Sequence, residues 1–338
     1  ALTGKSFNGL RYSTFGYDGE GRATSTEHAG GVERYTFAYV GDPNGTWQVT
    51  ERNPAGRSTV HTYERGKKVA VSGQLSTHCA FARKTTSYDA NGNVDVATDF
   101  AEVPTNFDYD SHGHLLRRAE AADRAVKRVT SYVWDEDKNW IVRDTLEGVR
   151  RTDYVYTSNG RVERVLVTDL ATGLARESVY QYAMHPNGLL SKVVVNGELA
   201  GITDALTYTY SSVGDLQEVS NGLGHTVRYS HHNALGQPGR VTDANGAIAD
   251  YSYDARGRTV LVRTYPSGSA VDTRYDYGAS GLLDAVHTAD GNATLYHYDA
   301  ARRLIQEDLT APDGGFEVRR YTYNAMSQPV RIEVGRDH

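Results

Sequence analysis

The sequence predicts an all-β chain of tandem antiparallel β-hairpins, and three observations carry that prediction. A short unit of two rings, a polar turn residue and a glycine recurs from end to end. Tyrosine is concentrated on its ring positions, and the copies are nearly evenly spaced. A fixed period of this size marks a repeat architecture.

The unit is clearest in ADYSYDARGRTVLV, Ala249 to Val262. Tyr251 and Tyr253 are two apart, so on a strand both rings leave the same face. Asp254 can accept a backbone hydrogen bond, Ala255 and Arg256 suit the centre of a type I turn, and Gly257 supplies a permissive backbone. Thr259 to Val262 are β-branched or apolar and suit a returning strand.

In chain order, residues 1–35 read as one hairpin, FGYDGEGRA, and a polar connection, EHAGGVER. From Phe37 to Phe81 the copies are irregular, with turns at Gly41 to Gly45 and Asn53 to Gly56. Trp47 is read there as a core ring rather than a binding-face aromatic. Later copies are TSYDANGNV, FDYDSHGHL, YVWDEDKNW, YVYTSNGRV, YQYAMHPNGLL, YTYSSVGDL, SHHNALGQP, YDYGASGLL, YHYDAARRL and YTYNAMSQP. Lys138, Arg302 and Ser327 stand in these where glycine is expected. Leu115 to Val129 has a composition that would suit a helix, but its place in the repeat predicts strand, turn, strand. Hairpin tips are expected near Asp18, Asp89, Asp110, Asn159, Gly214, Asp254, Gly278 and Asp299.

The second ring position falls at 17, 39, 63, 88, 109, 134, 156, 182, 210, 232, 253, 277, 298 and 323. These fourteen units have a mean spacing of about 23.5 residues. Of 24 tyrosines, only Tyr12, Tyr35, Tyr229 and Tyr265 lie off the ring positions. The gaps leave no room for a second domain, so residues 1–338 are expected to form a single repeat domain, part of something longer. A second turn in each period gives about 28 strands, a sheet ~130 Å wide if flat. Open twisted sheets of more than about ten strands curl, so this one is expected to curve or spiral and enclose space.

Hydrophobic content of 39% and a mean hydropathy of −0.56 fit a thinly covered sheet rather than a thick core. A net charge of −6 with scattered Lys and Arg gives no case for nucleic acid. No apolar run approaches the ~20 residues of a membrane span, and no signal peptide is visible in ALTGKSFNGLRYS. Cys79 is the single cysteine, which excludes an internal disulfide and is read as an idle thiol.

The repeated motif Y-x-Y-D-x-x-G-R resembles the YD repeats of the Rhs (rearrangement hot spot) family, which also includes shell subunits of insecticidal toxin complexes and the teneurins. The resemblance covers residues 12–334. It implies a hollow β-shell enclosing a C-terminal polymorphic toxin, export to the extracellular space, and the rest of the shell and that toxin as partners. The family's self-cleaving core with a DPxG-type motif has no counterpart in this sequence.

No residue is assigned a catalytic, cofactor-binding or metal-binding role, and no cofactor is expected. The motif aspartates Asp18, Asp89, Asp110, Asp254 and Asp299 are turn formers by position. His112 with His114 spans a turn glycine, and His231 with His232 occupies ring positions, so both pairs read as structural rather than as metal ligands. The leading expectation is a non-enzymatic shell wall, able to self-associate through open sheet edges near Tyr17 or Tyr323. The alternatives are a glycan- or surface-binding module and, less favoured, a carbohydrate-active enzyme on a β scaffold such as a propeller.

Overall fold

The computed structural model describes residues 1–73, 82–197 and 204–337. They contain 29 β-strands in one antiparallel sheet and a 3-10 turn at Ala29–Gly31, with no α-helix. The helix-like stretch is strand Leu115–Glu120, a turn, and a strand Arg128–Asp135, as its place in the repeat requires. Cys79 and Phe81 lie outside the described residues.

The tip of each regular hairpin is built the same way. The Asp18 carbonyl accepts from the Gly21 amide at 3.1 Å, and the Asp18 amide donates to the Arg22 carbonyl at 3.0 Å. Gly21 has φ +80°. This is a type I turn closed by a left-handed residue, a common three-residue hairpin loop. Asp18 Oδ1 accepts from the Glu20 and Arg22 amides and so fixes the turn. The left-handed position explains the glycine, since a Cβ there costs roughly 1–2 kcal/mol. Arg302 (φ +68°) and Ser327 (φ +55°) occupy it without that freedom. In YVWDEDKNW the position is taken by Asn139 (φ +58°), not by Lys138 as the alignment of motifs suggests, because this loop is one residue longer.

Just behind the turn the strands slip by one residue. Tyr109 pairs with Leu115 while Asp108 pairs with Arg117, leaving Leu116 as the extra residue. The same bulge recurs at Tyr17, Trp134, Tyr156, Tyr210, Tyr277, Tyr298 and Tyr323. Along the strands, Asn106 and Asp108 are exposed while Phe107 and Tyr109 are half-buried, the alternation that two-apart rings require. Among the described residues the fully buried apolar set is small: Ala97, Ala119, Val129, Ala285 and Val318.

The strands cluster into two compact units. One comprises Ala1–Thr85, Arg258–Arg263 and Val271–His338. It begins with a hairpin that the repeat pattern misses, Gly4–Phe7 paired with Leu10–Tyr17. Its turn is Asn8 (φ +45°) and Gly9 (φ +82°), a type I′ pair whose Asn-Gly signature was present in the sequence. The tip of this hairpin reaches much later residues of the same unit. The Asn8 side chain donates to the Ala279 carbonyl. The Arg302 guanidinium lies 4.3 Å from the Phe7 ring centre and donates to the Ser280 carbonyl at 3.1 Å.

The other unit comprises Thr86–Gly257 and Thr264–Ala270. Its strands from Val94–Asp99 to Ile248–Tyr253 pair mostly with their sequence neighbours. Arg240 grips Asp250 through two hydrogen bonds of 2.6 and 2.8 Å, and the Tyr265 hydroxyl donates to the same carboxylate at 2.7 Å. Tyr265, off the ring positions, is therefore a working member of a polar cluster.

Candidate functional site

The residues that recur are consumed by two chains of contacts running from hairpin to hairpin. The first uses hydroxyls. In several repeats the second ring donates to the carbonyl beside the bulge of the preceding repeat: Tyr39 to Ala23 (2.7 Å), Trp134 Nε1 to Leu115 (2.9 Å), Tyr156 to Ile141 (2.8 Å), Tyr182 to Val162 (2.7 Å) and Tyr298 to Leu283 (3.0 Å). Tyr323 to Leu304 follows the same rule, and Tyr253 donates to Pro238 at 2.9 Å in a hairpin whose register shows no bulge. A bulge interrupts the ladder, and a side-chain donor meets the carbonyl there. This explains the preference for tyrosine over phenylalanine.

The second chain uses flat groups. The residue after the left-handed turn position lies against the second ring of the next repeat. Arg22 sits 4.8 Å from the Tyr39 ring centre, Arg161 5.7 Å from Tyr182, Arg258 4.2 Å from Tyr277 and Arg303 4.9 Å from Tyr323. In two repeats another flat group replaces the arginine: His114 stacks on Trp134 at 4.7 Å, and Trp140 meets Tyr156 at 5.0 Å. Trp47 lies between Tyr39 and Tyr63, at 5.8 and 5.1 Å, so it belongs to the ring stack, half-buried rather than in the core.

The motif aspartate aims that group. Asp18 Oδ2 takes Arg22 Nε at 2.7 Å, and Asp299 takes Arg303 identically. The Arg22 guanidinium holds the Asp18 carboxyl below the usual carboxylate range. In FDYDSHGHL the pair is Asp110 with His114 Nδ1, 2.8 Å apart, and His114 Nε2 lies 2.8 Å from Asn139 Oδ1. The hydrogen bond to Asp110 raises the His114 pKa above its ordinary value. Burial pushes Asp110 up, but hydrogen bonds from the His114 amide and ring outweigh it and leave the carboxyl lowered. Tyr154 is pushed up to about 12 by burial and by its hydrogen bond to Asp144.

Among the described residues, the first of the two histidine pairs has a carboxylate as third potential ligand. Asp110, His112 and His114 bring one side-chain donor each within 4.8 Å of one another. His231 instead bonds Ser230 Oγ at 3.1 Å, and His232 stands at the second ring position of its repeat. Sequence reasoning weighed His112 and His114 as a pair and assigned Asp110 to the turn. The signal for the triplet was the alternation Asp-x-His-x-His.

A family model described as Teneurin YD-shell matches residues 146–334. The tRNA nuclease WapA of Bacillus subtilis is 32% identical over 97 residues, 28% of this chain and 4% of that protein. The double-stranded DNA deaminase toxin A of Burkholderia cenocepacia is 28% identical over 160 residues, 41% of this chain and 11% of that protein. Among solved structures, TcdB2-TccC3-TEV and the Photorhabdus luminescens Tc holotoxin pore align with 96% of this chain, at 14% identity and a TM-score of 0.45. The chain spans 22% and 21% of those two.

Proposed function

This chain belongs to the teneurin YD-shell family, and we propose that it is a wall segment, a single repeat domain over residues 1–338 of a longer β-shell that encloses a toxic polypeptide. The observation that carries this reading is the use made of the motif. Tyrosine hydroxyls serve bulge carbonyls, aspartates serve turns, and the following arginines serve the next ring. A motif spent on hairpin-to-hairpin contacts builds a wall. The nuclease and deaminase in the relatives' names belong to whole proteins of which this chain matches 4% and 11%. Their activities are taken to lie in other segments, and this one to be non-enzymatic.

The partners are then the remaining shell and its cargo, and the setting is extracellular. The strand Pro329–Asp337 supports an edge contact: Val330, Ile332 and Val334 are 61%, 60% and 56% exposed. Such an edge adds strands, so the isolated chain should self-associate there and Ile332→Lys should favour the monomer.

The test uses the longer parent protein. With the wall in place, a protease in native buffer should spare the enclosed polypeptide and cut it once the wall is unfolded. Cutting at the rate seen for the free polypeptide would overturn the enclosure.

A further inference from the structure

The hairpin tip Asp110–His114 departs from its siblings in one chemical respect. At Asp18 and Asp299 the turn aspartate faces an arginine, which is cationic and cannot ligate a metal. Here it faces His114, and the intervening turn residue is a second histidine, His112, whose ring centre lies 5.8 Å from that of His114. Two imidazoles and a carboxylate form the mixed nitrogen and oxygen set that suits Zn²⁺, Ni²⁺ or Cu²⁺.

We propose that Asp110, His112 and His114 form a binding site for a divalent first-row transition metal ion of this class. The ion replaces the proton between His114 Nδ1 and Asp110 Oδ2, now 2.8 Å apart. Both atoms turn onto the metal and the proton leaves to solvent. His112, at the exposed edge of the tip, swings in as third ligand, and water fills the fourth position. Donors around a tetrahedral ion at ~2.1 Å stand about 3.4 Å apart, so the 4.8 Å spread needs a side-chain rotation and no backbone movement. His114 Nε2 stays on Asn139 Oδ1. A partner on the far nitrogen fixes tautomer and ring orientation in metal-binding histidines. Trp134, stacked at 4.7 Å, holds the other side of the ring plane.

The experiment titrates the full chain with Zn²⁺ by calorimetry and with Ni²⁺ by tryptophan emission, which paramagnetic Ni²⁺ beside Trp134 should quench in part. The key variant is His114→Arg. It installs the residue that the tips at Asp18 and Asp299 carry, so the thermal midpoint should hold while the metal site goes. His112→Ala removes the exposed ligand alone. Each should weaken Zn²⁺ binding at least about tenfold and abolish the Ni²⁺ quench. The proposal falls if either variant binds Zn²⁺ as the parent does, if the quench persists, or if the parent takes up no Zn²⁺ at concentrations up to about 1 mM.

Discussion

The tips at Tyr17 and Tyr109 have the same backbone and different chemistry. Both close a type I turn with a left-handed glycine, both carry the bulge, and both use the turn aspartate to aim the next group. One aims Arg22 at Tyr39 and the other His114 at Trp134. At these two tips the position holds a planar group that an aspartate orients and a ring receives, and guanidinium and imidazole both serve. One repeat on from Tyr109, Trp140 drops the charge and keeps the plane.

The largest effect expected from disturbing this arrangement is at a ring that works in both chains of contacts. Tyr156→Ala removes the contact with Trp140 and the bond to Ile141 together, and should cost about 3 kcal/mol or more in urea unfolding. Tyr253→Ala should fall in the same range. If Tyr156→Ala costs no more than Tyr156→Phe, the stack contributes nothing beyond the hydroxyl.

Tyr156→Phe isolates the hydroxyl and should lose about 1 kcal/mol. Tyr265→Phe should lose a similar amount by freeing one side of Asp250, which makes this tyrosine more than filler. An unchanged midpoint in both would refute the hydrogen-bond assignments.

A gain is expected at Ser327. It holds a left-handed backbone at φ +55°, and its hydroxyl is buried with no hydrogen-bond partner. Ser327→Gly relieves both and should stabilise by about 0.5–1 kcal/mol, net of glycine's greater freedom in the unfolded chain. A destabilised variant would mean that the hydroxyl has a partner after all.

The smallest effect is in acid. Arg240, with help from Tyr265, holds the Asp250 carboxyl down to about 2 although burial pushes it up. A folded pKa below the unfolded one gives stability that is present above the ordinary carboxylate value and lost as pH falls from about 4 through about 2. Asp250→Asn should flatten the midpoint over that window and leave neutral-pH slopes alone. Identical acid profiles would remove the pair from the account.

The turn chemistry and ring alternation were legible in the sequence because they are local: Asp254, Gly257 and the two-apart tyrosines announce themselves within nine residues. The ring stack was not. Rings alone suggest ring on ring, whereas the link is Arg22 or His114, whose partner lies in the following repeat. The bulge escaped for a different reason: its extra residue, Leu116 in one repeat and Glu163 in another, has no compositional mark. The hairpin at Asn8–Gly9 lacks the motif, and its Asn-Gly turn is the one local mark it carries.

The contact from Asn8 to Ala279 joins residues 271 apart, whereas the hydroxyl links of successive repeats span 15 to 20. Closing a loop grows slowly costlier with its length, and non-local pairings form late. Folding can therefore start in any repeat and spread by short closures, with the docking of the first hairpin on Arg302 and Ala279 as its final slow phase. Stopped-flow burial of Phe7 and Tyr12 would lag behind sheet formation, and Arg302→Ala would lengthen that lag while sparing the earlier phase.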